Sequence, residues 1–216
     1  MIFYRFLLCS FFFFQFFNPL VHAQKISRII FITENKNSFS LETCKLYISN
    51  FNFKKQGQSL FKEKDSVHLI DVLQKNRNQI KFILPSDFNP DEISFGIGVD
   101  SIINKEGVKG GDLDPVNGMY WTWQTGYINF KIEGTRDSGN SKEKFEYHIG
   151  GFSNSNYSYR EVSMKSCNWN PSEIEILIDI DQFLNNSFKL GSKSLMSPGP
   201  QAFRLSDLFS ACFYLK

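Results

Sequence analysis

"EIEILIDID", residues 173–181, alternates clearly: Ile174, Ile176, Ile178 and Ile180 fall on one side of an extended chain, and Glu175, Asp179 and Asp181 on the other. A period of two predicts a strand with one face in a core and the other in water. "TGYINFKIEG", residues 125–134, repeats the pattern, with Ile128, Phe130 and Ile132 opposed to Tyr127, Asn129, Lys131 and Glu133. Outward from these two, shorter β-rich runs occur at 26–33, 45–53, 80–84, 93–99, 145–149 and 157–164. About eight strands punctuated by Gly, Asn, Asp and Pro predict an all-β fold, an antiparallel β-sandwich. Helix is expected only as an accessory. A turn follows "HLIDVLQKN", and a short C-terminal helix is predicted in "GPQAFRLSDLFS", where Pro200 opens a turn that groups Ala202, Leu205 and Leu208 or Phe209. "GTRDSGNSKEK", residues 134–144, reads as an exposed hairpin loop.

The first 23 residues read as a secretory signal: Arg5 precedes an apolar stretch from Phe6 to Val21, and Val21-His22-Ala23 offers a small-residue cleavage site. Gln15 and Asn18 interrupt that stretch, which is short for a membrane span of ~20 residues. The expected mature chain, 24–216, is one domain with a core large enough to stand without staples. It is expected to be secreted, in a periplasm or at a cell surface. The whole chain has a formal net charge of +2 with no long run of either sign, so nothing marks nucleic acid or an anionic membrane as a partner. Cys44, Cys167 and Cys212 remain after cleavage; an oxidising compartment permits one bridge among them, and three buried thiols are an equal alternative. No Cys/His cluster has structural-zinc spacing. There is no G-x-S-x-G elbow and no HExxH, so an enzyme is the least favoured class.

In "YWTWQ", residues 120–124, Trp121 and Trp123 share one side of an extended chain, so two indoles are expected side by side. They either close the end of a core or form a platform for stacking. The preceding loop carries Gly107, Gly110, Gly111 and Gly118, which let the chain turn tightly and swing the rings back over the sheet end. Asp112 and Asp114 flank Leu113; their spacing suits an Asx turn better than a Ca²⁺ loop, because the remaining EF-hand ligands are missing. Only His68 and His148 survive cleavage. Each is as compatible with a hydrogen-bonded, half-buried strand position as with a metal ligand.

Taken in order, "LYISNF", "SVHLIDV", "FGIGVDSIINKEGVKGGDLDPVNGMYWTWQTGYINFKIEG", "FEYHIGGF" and "LMSPGPQAF" resemble the MbnP-like family of secreted proteins, related to the copper-binding surface proteins of methane oxidisers. The blocks span Leu46 to Phe203, and the GMYWTWQTGY block is long and unusual. The resemblance implies a β-sandwich that binds copper through imidazoles and an oxidised tryptophan, kynurenine, with a di-haem cytochrome c peroxidase-like protein as the partner that performs the oxidation. On that resemblance Trp121 and Trp123 match the family's Trp pair, and His68 and His148 match the His of two of its blocks. Where many relatives carry a His just before "MSP", this chain reads Gly191-Ser192-Lys193-Ser194-Leu195.

Copper(I) accepts two or three soft or imidazole donors, so His68 and His148 with the thioether of Met119 or Met196 would be enough in number. The expectation is a non-catalytic copper binder whose ring-bearing loop and two histidine strands share a pocket. The alternative is a metal-free glycan- or protein-binding module that stacks its ligand on Tyr120, Trp121, Trp123 and Tyr127.

Overall fold

A computed structural model describes residues 24–34, 39–139, 141–153, 156–166, 170 and 172–216. The proposed signal, residues 1–23, and Cys167 lie outside them. Along the chain run β1 (Gln24–Thr33), β2 (Phe39–Lys55), β3 (Gln58–Lys62), β4 (Val67–Asp71), β5 (Gln79–Pro85), β6 (Glu92–Ile97) and α1 (Ser101–Lys105). After two single 3-10 turns come β7 (Tyr120–Thr122), β8 (Gly126–Asp137), β9 (Lys142–Gly150), β10 (Arg160–Lys165) and β11 (Glu173–Ile178). α2 (Ile180–Lys189), β12 (Ser194–Leu195), α3 (Pro200–Ser210) and β13 (Phe213–Leu215) complete it.

The strands form two stacked sheets, an all-β sandwich. One has the order β13-β11-β1-β5. The other has nine strands, with the path β10-β6-β2-β8-β9-β12, β3 and β4 pairing with β2, and β7 with β8. Most pairs are antiparallel as expected, but β1 runs parallel to β11 and β12 parallel to β9. Phe rings close the space between the sheets: Phe51 and Phe53 of β2 meet Phe82 of β5 edge-on at 5.3 and 5.4 Å, and Phe31 of β1 meets Phe95 of β6 at 5.9 Å. These side chains are buried to within a few per cent.

The long strand β2 shows how the alternation is kept. Leu46 and Ile48 point into this core, and so do Phe51 and Phe53, although the step from 48 to 51 is odd. Asn50 absorbs the extra residue as a bulge, with φ 55°, where the pairing to β6 shifts between Ser49 and Asn52. A second shift, between Ile128 and Phe130 on β8, sends Ile128 to the opposite face from Phe130 and Ile132. The even-numbered apolar run predicted for β8 is therefore divided between two clusters.

Two segments differ from expectation. The alternation of 173–181 stops at Ile178, because Asp179 caps a helix by accepting from Gln182 N at 2.8 Å. Ile180 thus begins α2, whose buried Phe183 and Leu184 join the main core. The exposed loop expected at 134–144 is shorter, since β8 continues to Asp137 and β9 starts at Lys142. α3 begins at Pro200 and buries Ala202, Leu205 and Phe209 as predicted.

Candidate functional site

The nine-stranded sheet has an inner face, toward the other sheet, and an outer face. On the outer face a second, smaller core contains Tyr47, Leu69, Val99, Ile103, Leu113, Met119, Tyr127 and Ile128, with Tyr120 and Trp121 packed against it. The segment 98–126 forms this cap. Polar side chains fix it. Asn104 is buried; its amide nitrogen donates to Val99 O and Asp100 O, and its carbonyl accepts from Tyr127 N. Asn129, also buried, accepts from Val99 N and donates to Ser158 Oγ. Asp112 Oδ2 accepts from Leu69 N at 2.9 Å, tying the cap to β4, and Tyr47 Oη donates to Asp112 O. Asp114 makes the expected Asx turn, accepting from Val116 N. Neither aspartate is part of an ion cage. Burial foremost, and then the neighbouring Tyr127 and Asp112, push the Tyr47 phenol above its ordinary range.

His68 and His148 are held alike and face opposite ways. His68 on β4 pairs with Ile48, sharing the inner face, and its ring lies 6.3 Å from Phe51 and 6.5 Å from Phe82. Its Nε2 meets Glu63 Oε2 at 2.9 Å. His148 on β9 pairs with Lys131, which pairs with Lys45 and through it with Asp71. Asp71 is three residues from His68, so the two imidazoles are on opposite faces. They are also separated by three strand spacings, about 14 Å, and by three residues of rise, about 10 Å. No single ion reaches both. The pocket expected from two histidine strands is not formed.

His148, Trp121 and the segment that leads to Met196 lie along the outer face. His148 Nε2 meets Glu133 Oε1 at 2.7 Å, which leaves Nδ1 as the remaining donor. Gly150 follows two residues later on the same face, and Trp121 lies against it: a Cβ built there would come 3.0 Å from the indole Cζ3 and 2.4 Å from Tyr127 O. β12 pairs Ser194 with Glu146 and Leu195 with Tyr147, and Pro198 packs against Gly151. Met196, half exposed, follows the last paired residue of β12, and the same register continued by one residue would bring it level with His148. Met119 is fully buried within the cap core. Trp123 is 74% exposed in the β7–β8 turn, and the expected side-by-side arrangement with half-buried Trp121 is not seen.

The carboxylates beside the two rings behave similarly. Burial raises the Glu133 acid, yet hydrogen bonds from Thr43 and His148 and the charge of Lys131 more than offset it, so it titrates below its ordinary value. Burial likewise raises Glu63, and its hydrogen bonds, that from His68 foremost, bring it below normal. Cys44 and Cys212 are buried free thiols, so no bridge joins them. Burial, with Asp71 adding, pushes Cys44 up to about 12. Among the described residues, no three His, Cys, Asp or Glu side chains converge as a metal site, and no helix is long and apolar enough to cross a membrane.

The family model described as MbnP matches residues 13–197. The chain belongs to the MbnP family. Its structure is similar to that of MbnP from Methylosinus trichosporium, with a TM-score of 0.55 and 14% identity over 76% of this chain and 78% of that one. At that identity the likeness is one of fold. No curated protein sequence matches the chain. The buried amides Asn104 and Asn129, which position the cap, escaped sequence reasoning; an Asn among apolar residues in "DSIINK" and "YINF" was the available signal.

Proposed function

We propose that this MbnP-family member is an exported, non-catalytic protein that binds one copper(I) ion at the outer-face margin shared by His148, Met196 and Trp121. The observation that supports the reading is the β9–β12 register, whose continuation by one residue would bring Met196 level with His148, while Trp121 lies against Gly150 two residues further on. The donor set fits the ion: an imidazole and a thioether are both acceptable to copper(I). Glu133 on Nε2 orients the ring and raises the basicity of Nδ1, the arrangement usual for a ligating histidine. Bound there, copper(I) would be stored or carried. A further donor would come from Trp121 if a di-haem cytochrome c peroxidase-like partner, met in the periplasm or at the cell surface, converts it to kynurenine. His68 takes no part.

Cu(I) titration of the mature protein against a chromophoric chelator tests this. One equivalent is expected to bind, to be lost in His148→Ala and weakened in Met196→Leu, and to persist in His68→Ala. Absence of binding, or loss on changing His68, overturns the site, and intact mass reads the state of Trp121.

One observation favours a second reading, the 74% exposure of Trp123 in the turn between β7 and β8. An exposed indole is a stacking platform for a glycan or a peptide, to which Tyr127, being buried, adds no face. Quenching of Trp fluorescence by a soluble polysaccharide, abolished in Trp123→Ala, would support it.

A further inference from the structure

Away from the outer-face margin, a cavity of about 360 Å³ lies between the C-terminal end of α2 and the N-terminal end of α3. Leu190, Ser192, Pro200, Gln201, Arg204 and Leu205 line it. We propose that it binds a small organic carboxylate.

The charge that lines this cavity is positive, and one buried hydroxyl at its wall has no partner. Ser192 is 2% exposed; its N–H donates to Ser187 O and its carbonyl accepts from Tyr147 Oη, but its Oγ is buried without a partner. A hydroxyl buried without a partner is unfavourable, and an acceptor brought within its reach by a small shift of the wall would relieve that cost. α3 is eleven residues long, has no side-chain cap at Gly199 and has no acid in its first turn. Pro200 has no N–H, and those of Gln201 and Ala202 find no acceptor within the helix. Such a terminus carries partial positive charge and favours anions.

Arg204 supplies the full charge. Arg28, Arg136 and Arg160 each pair with a carboxylate, from Glu173, Glu143 and Asp207. Arg204 has no such partner among the described residues, and no acid lines the cavity. The opposing end of α2 is neutralised locally, because its terminal carbonyls at Asn186, Ser187 and Phe188 already accept from Leu190, Ser192 and Gly191. Leu190, Pro200 and Leu205 provide apolar wall, which inorganic phosphate would leave uncovered. A charged planar head with a short apolar body satisfies both halves.

Isothermal titration of the mature chain with benzoate, benzyl alcohol and inorganic phosphate tests the proposal, with chelator present so that metal plays no role. Benzoate is expected to bind, and benzyl alcohol, its neutral counterpart, to bind at least tenfold more weakly. Arg204→Gln, at an exposed position that leaves the fold intact by circular dichroism, should weaken benzoate about tenfold, as expected for loss of a charge-assisted hydrogen bond. Ser192→Ala should weaken it a few-fold without lowering the melting temperature. No benzoate binding at millimolar concentration, indifference to Arg204→Gln, or phosphate binding as well as benzoate would overturn the proposal. His148→Ala should leave benzoate affinity unchanged, which separates this cavity from the copper reading.

Discussion

The two faces of the nine-stranded sheet are covered by different means. The inner face meets the second sheet mainly through hydrocarbon, with Phe51, Phe53, Phe82 and Phe95 packed ring against ring and His68 at their margin. The outer face is covered by the 98–126 cap, where Asn104, Asn129 and Asp112 hydrogen-bond specific backbone groups and Tyr47 and Tyr127 fill the gaps between them. An aromatic core is insensitive to small displacements because dispersion has no preferred direction. A cap held by single hydrogen bonds is sensitive to orientation, so it places groups accurately, and that face carries His148, Met196 and Trp121.

The comparison can be broken by mutation. Phe51→Ala should lower unfolding free energy by about 3–5 kcal/mol, through lost transfer and a residual cavity, as read by urea unfolding. Asn129→Ala should cost less, about 1–3 kcal/mol, by leaving Val99 N and Ser158 without their partner. Its more telling effect is local: faster amide exchange across 98–126 and unchanged exchange in β1 and β5. Equal exchange changes in both regions would show that cap and core unfold as one unit.

Acid tests both faces together. Glu63, on the inner-face side through His68, and Glu133, on the outer, each sit below their ordinary value in the folded chain. Each therefore stabilises the fold above the unfolded carboxylate pKa of about 4.3 and loses that contribution as pH falls through the folded value. The melting temperature should drop below about pH 4.3, and Glu63→Gln and Glu133→Gln should each flatten the decline. An unchanged slope in both variants would remove these two pairs from the acid response. The smallest effect belongs to Trp123→Ala: at 74% exposure it should alter stability by no more than about 0.5 kcal/mol. A larger cost would mean that the ring supports the cap instead of being presented by it.

Much of the sandwich was legible because a strand with one buried face writes its period into the residues: β1, β5, β9 and β11 coincide with apolar alternation, and β8 does so beyond its bulge. α2 was hidden because Ile178 and Ile180 continue the alternation across its start; Asp179 followed three residues later by Gln182 was the capping signal that marked the change. The candidate site was half legible. Trp121, His148 and Met196 were singled out by residue type. That His68 belongs elsewhere depends on the register of β4, β2, β8 and β9, which non-local pairing sets and no local pattern records.

The bulge at Asn50 has a wider consequence. Strand β2 feeds the inner core on both sides of this one left-handed residue, which keeps Phe51 and Phe53 on the same face as Leu46 and Ile48. Deleting it would turn Phe51 and Phe53 toward the side that Tyr47 now occupies and expose the middle of the sandwich to solvent. Only a residue regained elsewhere in β2 before Phe51 would turn both rings back, so a length change here has to be compensated within the same strand.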